Sequence, residues 1–156
     1  MPALLIDGDS LRQDLCRDLD FSVEDRIENV RRAGAVAILA DRSGISTICA
    51  LISPHRSERD AIRCQCREAG VGFLEVYLSA SFEVCEKRDP KGLYQKARAG
   101  LISEFTGLDS PYEPPINPEL TIPTACLSVE ESFALLKEAI EKFQRKEPGL
   151  FSALFP

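Results

Sequence analysis

The sequence has no apolar run that approaches the ~20 residues needed to span a membrane as a helix. Its opening stretch, MPALLI, is followed at once by DGD, so the long apolar core of a secretion signal is absent. The single histidine, His55, has no neighbouring Cys or His, and the six cysteines show no paired spacing. Cys64 and Cys66 are two residues apart in a helical pattern and therefore face different directions. These absences argue against a membrane protein and against a Cys/His metal site, and they predict a reduced, cytoplasmic protein.

The charge balance argues against nucleic acid as a partner. The formal net charge of the 156 residues is −6, whereas a general nucleic-acid binder needs a basic surface. The segment from Lys87 to Arg98 is the exception, because it carries five basic residues and one acidic residue. With Pro90 and Gly92 inside it, this segment is typical of a mobile lid over phosphates. A charged helical hairpin with its positive face in water fits the same pattern.

Apolar periodicity predicts alternating strands and helices. Short apolar runs, which we expect to be buried strands, occupy 3–6, 45–52, 73–78 and 120–122. Helical patterns occupy 10–19, 57–69, 81–88 and 92–99, and capping boxes at Ser22 and Ser128 open two longer helices. Such alternation predicts an α/β domain with a parallel sheet, in residues 1–146, followed by a tail at 147–156. In such folds ligands gather where the strands end, which here is at DGD, Ser53 and Ser79.

Two groups of polar residues could carry chemistry at those ends. Asp7 and Asp9 could hold a magnesium shell or accept a hydroxyl proton, and Arg12 could pair with a phosphate or sulfate. The alternative is a polar turn in which Asp9 caps a helix. Arg26 and Asn29 lie one helical turn apart and could together bind an anion or a base edge, although the residues alone favour a solvated helix face.

Phe21 and Phe105 lie in turn contexts, where two rings could clamp a purine. The alternative for both is an ordinary place in the core.

The motif G-x-x-x-x-G-K-[ST], whose backbone and lysine hold ATP phosphates, does not occur in the sequence.

Taken together, these segments resemble the adenylylsulfate kinase family. The matching stretches are DGDSLR at 7–12, LDFSVEDRIENVRR at 19–32, ISPHRSERD at 52–60, FLEVYLSASFEVCEKRDPKGLYQKARAG at 73–100, FTGLDSPYEPPINPEL at 105–120 and LSVEES at 127–132. The resemblance runs from Leu4 to about Phe143. It implies a P-loop NTPase-like parallel sheet flanked by helices, from which the family's first strand, phosphate loop and first helix are missing.

The resemblance also implies an activity, in which the γ-phosphate of ATP is transferred to the 3′-hydroxyl of adenosine 5′-phosphosulfate with Mg²⁺ as cofactor, to give 3′-phosphoadenylylsulfate. Asp9 resembles the acid that orients the hydroxyl and the magnesium water, and a phosphoserine has been described in the family at the position of Ser53. The residues that the resemblance places around the substrates are Asp7, Ser10, Arg12, Phe21, Arg26, Asn29, Ile52, Lys91, Gly92, Leu93 and Phe105. Among these, Phe21 and Phe105 resemble the two faces of an adenine clamp. The family often pairs its subunits, which makes a homodimer one assembly to test.

Two departures from the family pattern concern the site itself. Ser10 stands where the family usually has Asn, and Glu104 stands where Gly or Asn commonly precedes the clamp Phe.

The missing phosphate loop leaves three interpretations. The first is a kinase whose sequence is truncated before Met1, and the second is a degenerate module that binds adenylylsulfate without catalysis. The third is another small-molecule kinase, which the DPKGLYQKARAG signature disfavours. An in-frame phosphate-loop motif upstream of Met1 would support the first, and an early stop codon the second. We expect negligible kinase activity from residues 1–156 alone.

Overall fold

The computed structural model describes residues 2–146, so the tail predicted at 147–156 lies outside the described residues. The described residues group into two compact units, 2–73 and Leu74–Lys146. Within residues 2–146, no helix is both long enough and apolar enough to cross a membrane.

The first unit contains two strands and three helices in alternation. In chain order they are β1 (Ala3–Asp7), α1 (Gly8–Gln13), α2 (Val23–Arg42), β2 (Ser46–Ala50) and α3 (Arg56–Glu68). Strands β1 and β2 run parallel, with Ala3 opposite Ser46 and Asp7 opposite Ala50. The crossover between them is formed by the two helices, which is the connection that parallel neighbours require. The predicted parallel α/β arrangement is therefore confirmed in this unit.

The prediction that these two strands are buried is wrong for most of their length. Ile6 is only 4% exposed, but Leu5 is 64% exposed and its register partner Ile48 is 50% exposed. Among the described residues the sheet of this unit has two strands, so each strand pairs along one edge only. An apolar run indicates which residues form a strand, whereas its burial depends on what lies against it.

Helix α2 begins as its sequence predicts and packs closely against α3. The Ser22 hydroxyl accepts a hydrogen bond from the Asp25 amide at 3.1 Å, which caps the first turn. Val30 and Gly34 are buried on one face of α2. A Cβ atom at Gly34 would lie 2.4 Å from Cδ1 of Ile62, so the two helices approach where a side chain is missing.

The second unit repeats the alternation of strand and helix. Its elements are β3 (Val76–Ser79), α4 (Phe82–Arg88), α5 (Leu93–Arg98), β4 (Leu120–Pro123) and α6 (Val129–Lys146). Strands β3 and β4 are parallel and form a two-stranded sheet, with Val76 opposite Leu120. The second predicted capping box is complete, because Ser128 Oγ accepts from the Glu131 amide and Glu131 Oε2 accepts from the Ser128 amide.

Candidate functional site

The turn between β1 and α1 places two carboxylates at the end of a strand. Oδ2 of Asp7 accepts hydrogen bonds from the amide and the hydroxyl of Ser10, at 3.0 and 3.1 Å. The capping residue is therefore Asp7, and the alternative in which Asp9 caps the helix is wrong. Asp9 lies in the first turn of α1 and is exposed. The turn is also tight, since a Cβ atom at Gly8 would come within 3.2 Å of Leu51.

Arg12, Phe21 and Arg26 form one cluster in the first unit. The Arg12 guanidinium lies 4.4 Å from the centroid of the Phe21 ring, and that of Arg26 lies 5.7 Å from it. Arg12 also donates to the carbonyl oxygens of Leu19 and Asp20, and Arg26 donates to that of Phe21 at 2.8 Å. Phe21 remains 53% exposed, which excludes the core position considered for it. Two positive charges and an accessible aromatic face are thus held together.

Asn29 lies one turn along α2 from Arg26, as predicted, but it is not on a solvated face. It is only 6% exposed, and its Nδ2 finds no hydrogen-bond partner among residues 2–146. A buried amide donor without a partner costs about 1–3 kcal/mol, so such groups are rare in folded proteins. A ligand that accepts a hydrogen bond at this position would remove that cost.

An ion-pair network next to Asn29 was not predicted from the sequence. Arg32 binds both carboxylate oxygens of Asp18, at 2.6 and 2.8 Å, and donates to the Leu15 carbonyl at 2.8 Å. Arg31 and Arg32 also donate to Glu28. Hydrogen bonds from Arg31 and then Arg32 lower the pKa of Glu28 to about 2. The network attaches the segment that precedes Phe21 to α2, through contacts that only the fold brings together.

Ile52 and Ser53 follow the end of β2 at the predicted place. Ile52 is 63% exposed, and Ser53 has a φ of 41°, a left-handed conformation that is unfavourable for a residue with a side chain. The Ser53 carbonyl accepts a hydrogen bond from Arg59 at 2.6 Å, which helps to hold this conformation.

In the second unit, a capped turn lies inside the predicted lid, between α4 and α5. The Asp89 carboxylate accepts hydrogen bonds from the amides of Tyr94 and Gln95, and Gly92 adopts a φ of 65° before α5. Lys91 and Gly92 lie in this turn, and Leu93, the first residue of α5, is 37% exposed. Phe105 packs against Tyr94, with ring centroids 4.8 Å apart. That contact was not predicted, although Tyr94 lies inside the signature segment.

Phe105 and the lid belong to one unit, whereas Phe21, Arg12 and Asn29 belong to the other. The adenine clamp formed jointly by Phe21 and Phe105 therefore stays a prediction. Within the first unit, Arg12 and Arg26 lie against Phe21, and within the second unit, Phe105 lies against Tyr94.

The expectation that the site binds Mg²⁺ rests on the carboxylate of Asp9. Among residues 2–146, no group of three or more His, Cys, Asp or Glu side chains is arranged to hold a metal ion. Mg²⁺ in phosphoryl-transfer sites is commonly bound by one or two carboxylates together with substrate phosphates. An exposed Asp9 beside a strand end fits that requirement, while Asp7 Oδ2 is already engaged by Ser10.

Known proteins of one family resemble this chain in sequence. Residues 1–123 match the family model described as adenylylsulphate kinase. The chain is 54% identical over 127 residues to the adenylyl-sulfate kinase of Vibrio parahaemolyticus, covering 81% of this chain and 61% of that protein. It is 50% identical over 136 residues to that of Vibrio vulnificus, covering 87% of this chain and 65% of the relative. The chain thus spans a little under two thirds of the length of these relatives.

A solved structure shows the same fold. The APS kinase CysC of Mycobacterium tuberculosis, in complex with AMPPNP and APS, superposes with a TM-score of 0.85 at 43% identity, over 90% of this chain and 81% of that one. This match confirms the expected P-loop NTPase-like α/β fold with parallel strands. The matched family model covers residues 1–123, which include the DGDSLR turn, the Arg12–Phe21–Arg26 cluster and the lid, and the chain therefore belongs to the adenylylsulfate kinase family.

Proposed function

We propose that this chain is the part of an adenylylsulfate kinase that binds adenosine 5′-phosphosulfate and presents its 3′-hydroxyl to the γ-phosphate of ATP. The observation that carries the proposal is the cluster of Arg12, Phe21 and Arg26 beside the buried, unpartnered amide of Asn29. The family match and the similarity to CysC, which was solved with AMPPNP and APS, support the choice of ligands.

Each part of the substrate has a suitable partner in the cluster. The phosphosulfate group is anionic, and Arg12 is anchored by two neutral carbonyl oxygens, so its positive charge remains available to an anion. Adenine offers a flat face to the exposed Phe21 ring and hydrogen-bond acceptors to the amide of Asn29. In the second unit, Phe105 would offer a ring to a purine, and the Lys91–Leu93 segment would face phosphates.

The reaction itself would use Asp9. As the 3′-oxygen forms a bond to the γ-phosphorus and the bond from that phosphorus to ADP breaks, the Asp9 carboxylate would accept the hydroxyl proton. Asp9 would also contribute a carboxylate to Mg²⁺, whose role is to neutralise phosphate charge. Ser53 and Ile52 would line the acceptor at the end of β2. A cytoplasmic location and a homodimer remain expectations that accompany this proposal.

Calorimetric titration of the 156-residue chain with adenosine 5′-phosphosulfate tests the acceptor site. We expect binding, and a loss of roughly 10- to 100-fold in affinity for Arg12→Met, the range expected for a hydrogen bond to a charged group. Arg17→Met is the matched control, since Arg17 is exposed in the same segment and its replacement changes the net charge equally. If the wild-type chain does not bind, or if the two variants lose affinity equally, the proposed site is wrong.

A coupled assay for ADP release, run on the same preparation, tests catalysis separately. Turnover should be negligible for the 156-residue chain, because the sequence has no G-x-x-x-x-G-K-[ST] and loss of one preorganised donor alone costs on the order of 10²–10³ in rate. Robust turnover would mean that other residues hold the ATP phosphates. Binding without turnover is also what a degenerate, non-catalytic module would show. In such a module, Asp9→Asn would leave the affinity for adenosine 5′-phosphosulfate unchanged.

A further inference from the structure

Three aromatic rings form a continuous cluster in the second unit. Tyr94 is the middle ring: its centroid lies 5.5 Å from that of Phe82 and 4.8 Å from that of Phe105. The interplanar angles are 62° and 71°, so both contacts are edge-to-face. Phe82 comes from α4, Tyr94 from the start of α5 and Phe105 from the loop after α5, so three consecutive segments of the chain meet in the cluster.

The backbone of Tyr94 is fixed inside the basic segment 87–98, which is the predicted lid. The Asp89 carboxylate accepts from the amides of Tyr94 at 3.2 Å and Gln95 at 3.1 Å. Arg98 near the other end of α5 binds Glu86 of α4 at 2.8 Å. Both ends of α5 are thereby attached to α4 or to the turn that follows it, which limits how far the Tyr94 ring can move.

The turn that carries Phe105 is packed against the same cluster. The Phe105 carbonyl accepts from the amides of Leu108, Asp109 and Ser110, at 3.0 to 3.2 Å. A Cβ atom at Gly107, which has a φ of 92°, would lie 3.0 Å from the Phe82 ring. Glycine is therefore required there both for the backbone conformation and for the close approach of Phe82.

We propose that Tyr94 is a positioning residue that holds the ring of Phe105 and so joins the basic lid segment to the purine-binding face. This inference rests on the proposed function, in which Phe105 contacts adenine. An edge-to-face contact leaves at least one flat face of Phe105 uncovered by Tyr94, and that face can stack on a purine. A lid movement that shifted Tyr94 would then change the orientation of Phe105.

Whether Tyr94 holds the ring at position 105 can be measured without ligand. The chain has no tryptophan, so Phe105→Trp introduces one tryptophan at the proposed purine face, and it can be excited at wavelengths that the tyrosines do not absorb. In that background, Tyr94→Leu should raise acrylamide quenching of the reporter about 2-fold or more, because one packed neighbour of the ring is lost. Tyr94→Phe keeps the ring and should leave quenching unchanged. Tyr112→Leu is the matched control, since it breaks the Tyr77–Tyr112 stack, with centroids 6.2 Å apart, in the same unit.

The consequence for binding is measured with adenosine 5′-phosphosulfate on the chain with Phe105 intact. Tyr94→Leu should weaken binding roughly 2- to 12-fold, the range for one aromatic pair, whereas Tyr94→Phe and Tyr112→Leu should bind like the wild type. Rescue by phenylalanine separates ring positioning from a role of the hydroxyl. If the wild-type chain fails to bind, the proposed function is wrong, and the quenching series still decides the role of Tyr94. Equal quenching in the Tyr94→Leu and Tyr112→Leu variants, or equal loss of binding in Tyr94→Leu and Tyr94→Phe, would overturn the inference.

Discussion

Replacing Asn29 with alanine should stabilise the free protein while weakening its binding of adenosine 5′-phosphosulfate. Asn29 is 6% exposed and its Nδ2 has no partner within the described residues, so the wild type bears the cost of a desolvated donor, about 1–3 kcal/mol. Alanine also has a better helix propensity than asparagine, by up to ~0.7 kcal/mol. The opposing term is a void of roughly 30 Å³, which at about 24 cal/mol per Å³ costs about 0.7 kcal/mol.

The sum predicts that Asn29→Ala raises the free energy of unfolding by about 0.3–3 kcal/mol. Urea denaturation followed by circular dichroism measures this change. Affinity for adenosine 5′-phosphosulfate should fall roughly 2- to 12-fold, as expected for one lost neutral hydrogen bond. Asn29→Asp is the control for shape, since it keeps the size of the side chain but buries a charge, and it should lose both stability and affinity. A lower free energy of unfolding for Asn29→Ala would show that the amide is already paired in the free protein.

Three further predictions concern other parts of the structure. Gly34→Ala should destabilise the protein by about 1–3 kcal/mol, because the added methyl group overpacks against Ile62. Adding Ile62→Ala to the same chain should recover part of that loss, as measured by urea denaturation. If the two losses of stability simply add, the packing described is wrong. Glu104 has a φ of 56°, so Glu104→Gly should raise the free energy of unfolding by about 0.5–1 kcal/mol, whereas an exposed glycine substitution in a helix, such as Glu24→Gly, should lower it. The pKa of Glu28 is lowered from 4.5 to about 2, so its ion pairs stabilise the fold above pH 4.5 and are lost as the pH falls through 2. Glu28→Gln should therefore show a shallower loss of stability between pH 4.5 and 2 than the wild type, and identical pH profiles would refute the role of this network.

Features that depend on neighbouring residues in sequence could be predicted well. Ser22 and Ser128 cap their helices as the spacing of hydroxyl and acid indicates, because a cap involves atoms within one helical turn. The parallel pairing of β1 with β2 and of β3 with β4 follows from the alternation of strand and helix. The family signature added the identity of the candidate site residues.

Features that depend on distant residues could not be predicted in the same way. Leu5 and Ile48 were expected to be buried and are exposed, since burial depends on what the whole chain places over a strand. The contact of Arg12 with Phe21 depends on the turns between them, and that of Tyr94 with Phe105 depends on the loop after α5. An apolar or basic residue type alone does not determine such partners.

The arginines of the first unit illustrate how an acidic protein can hold an anionic substrate. Arg32 binds the carboxylates of Asp18 and Glu28, so its charge is balanced within the fold. Arg12 is held by the carbonyl oxygens of Leu19 and Asp20, which fix the guanidinium without cancelling its charge. Because interactions between exposed charges are screened beyond roughly 10 Å at 0.1 M salt, the net charge of −6 matters less to a bound anion than the groups in direct contact. Arg12→Met should therefore weaken binding far more than charge-equivalent changes elsewhere, and a uniform effect of all such changes would show that net charge controls affinity.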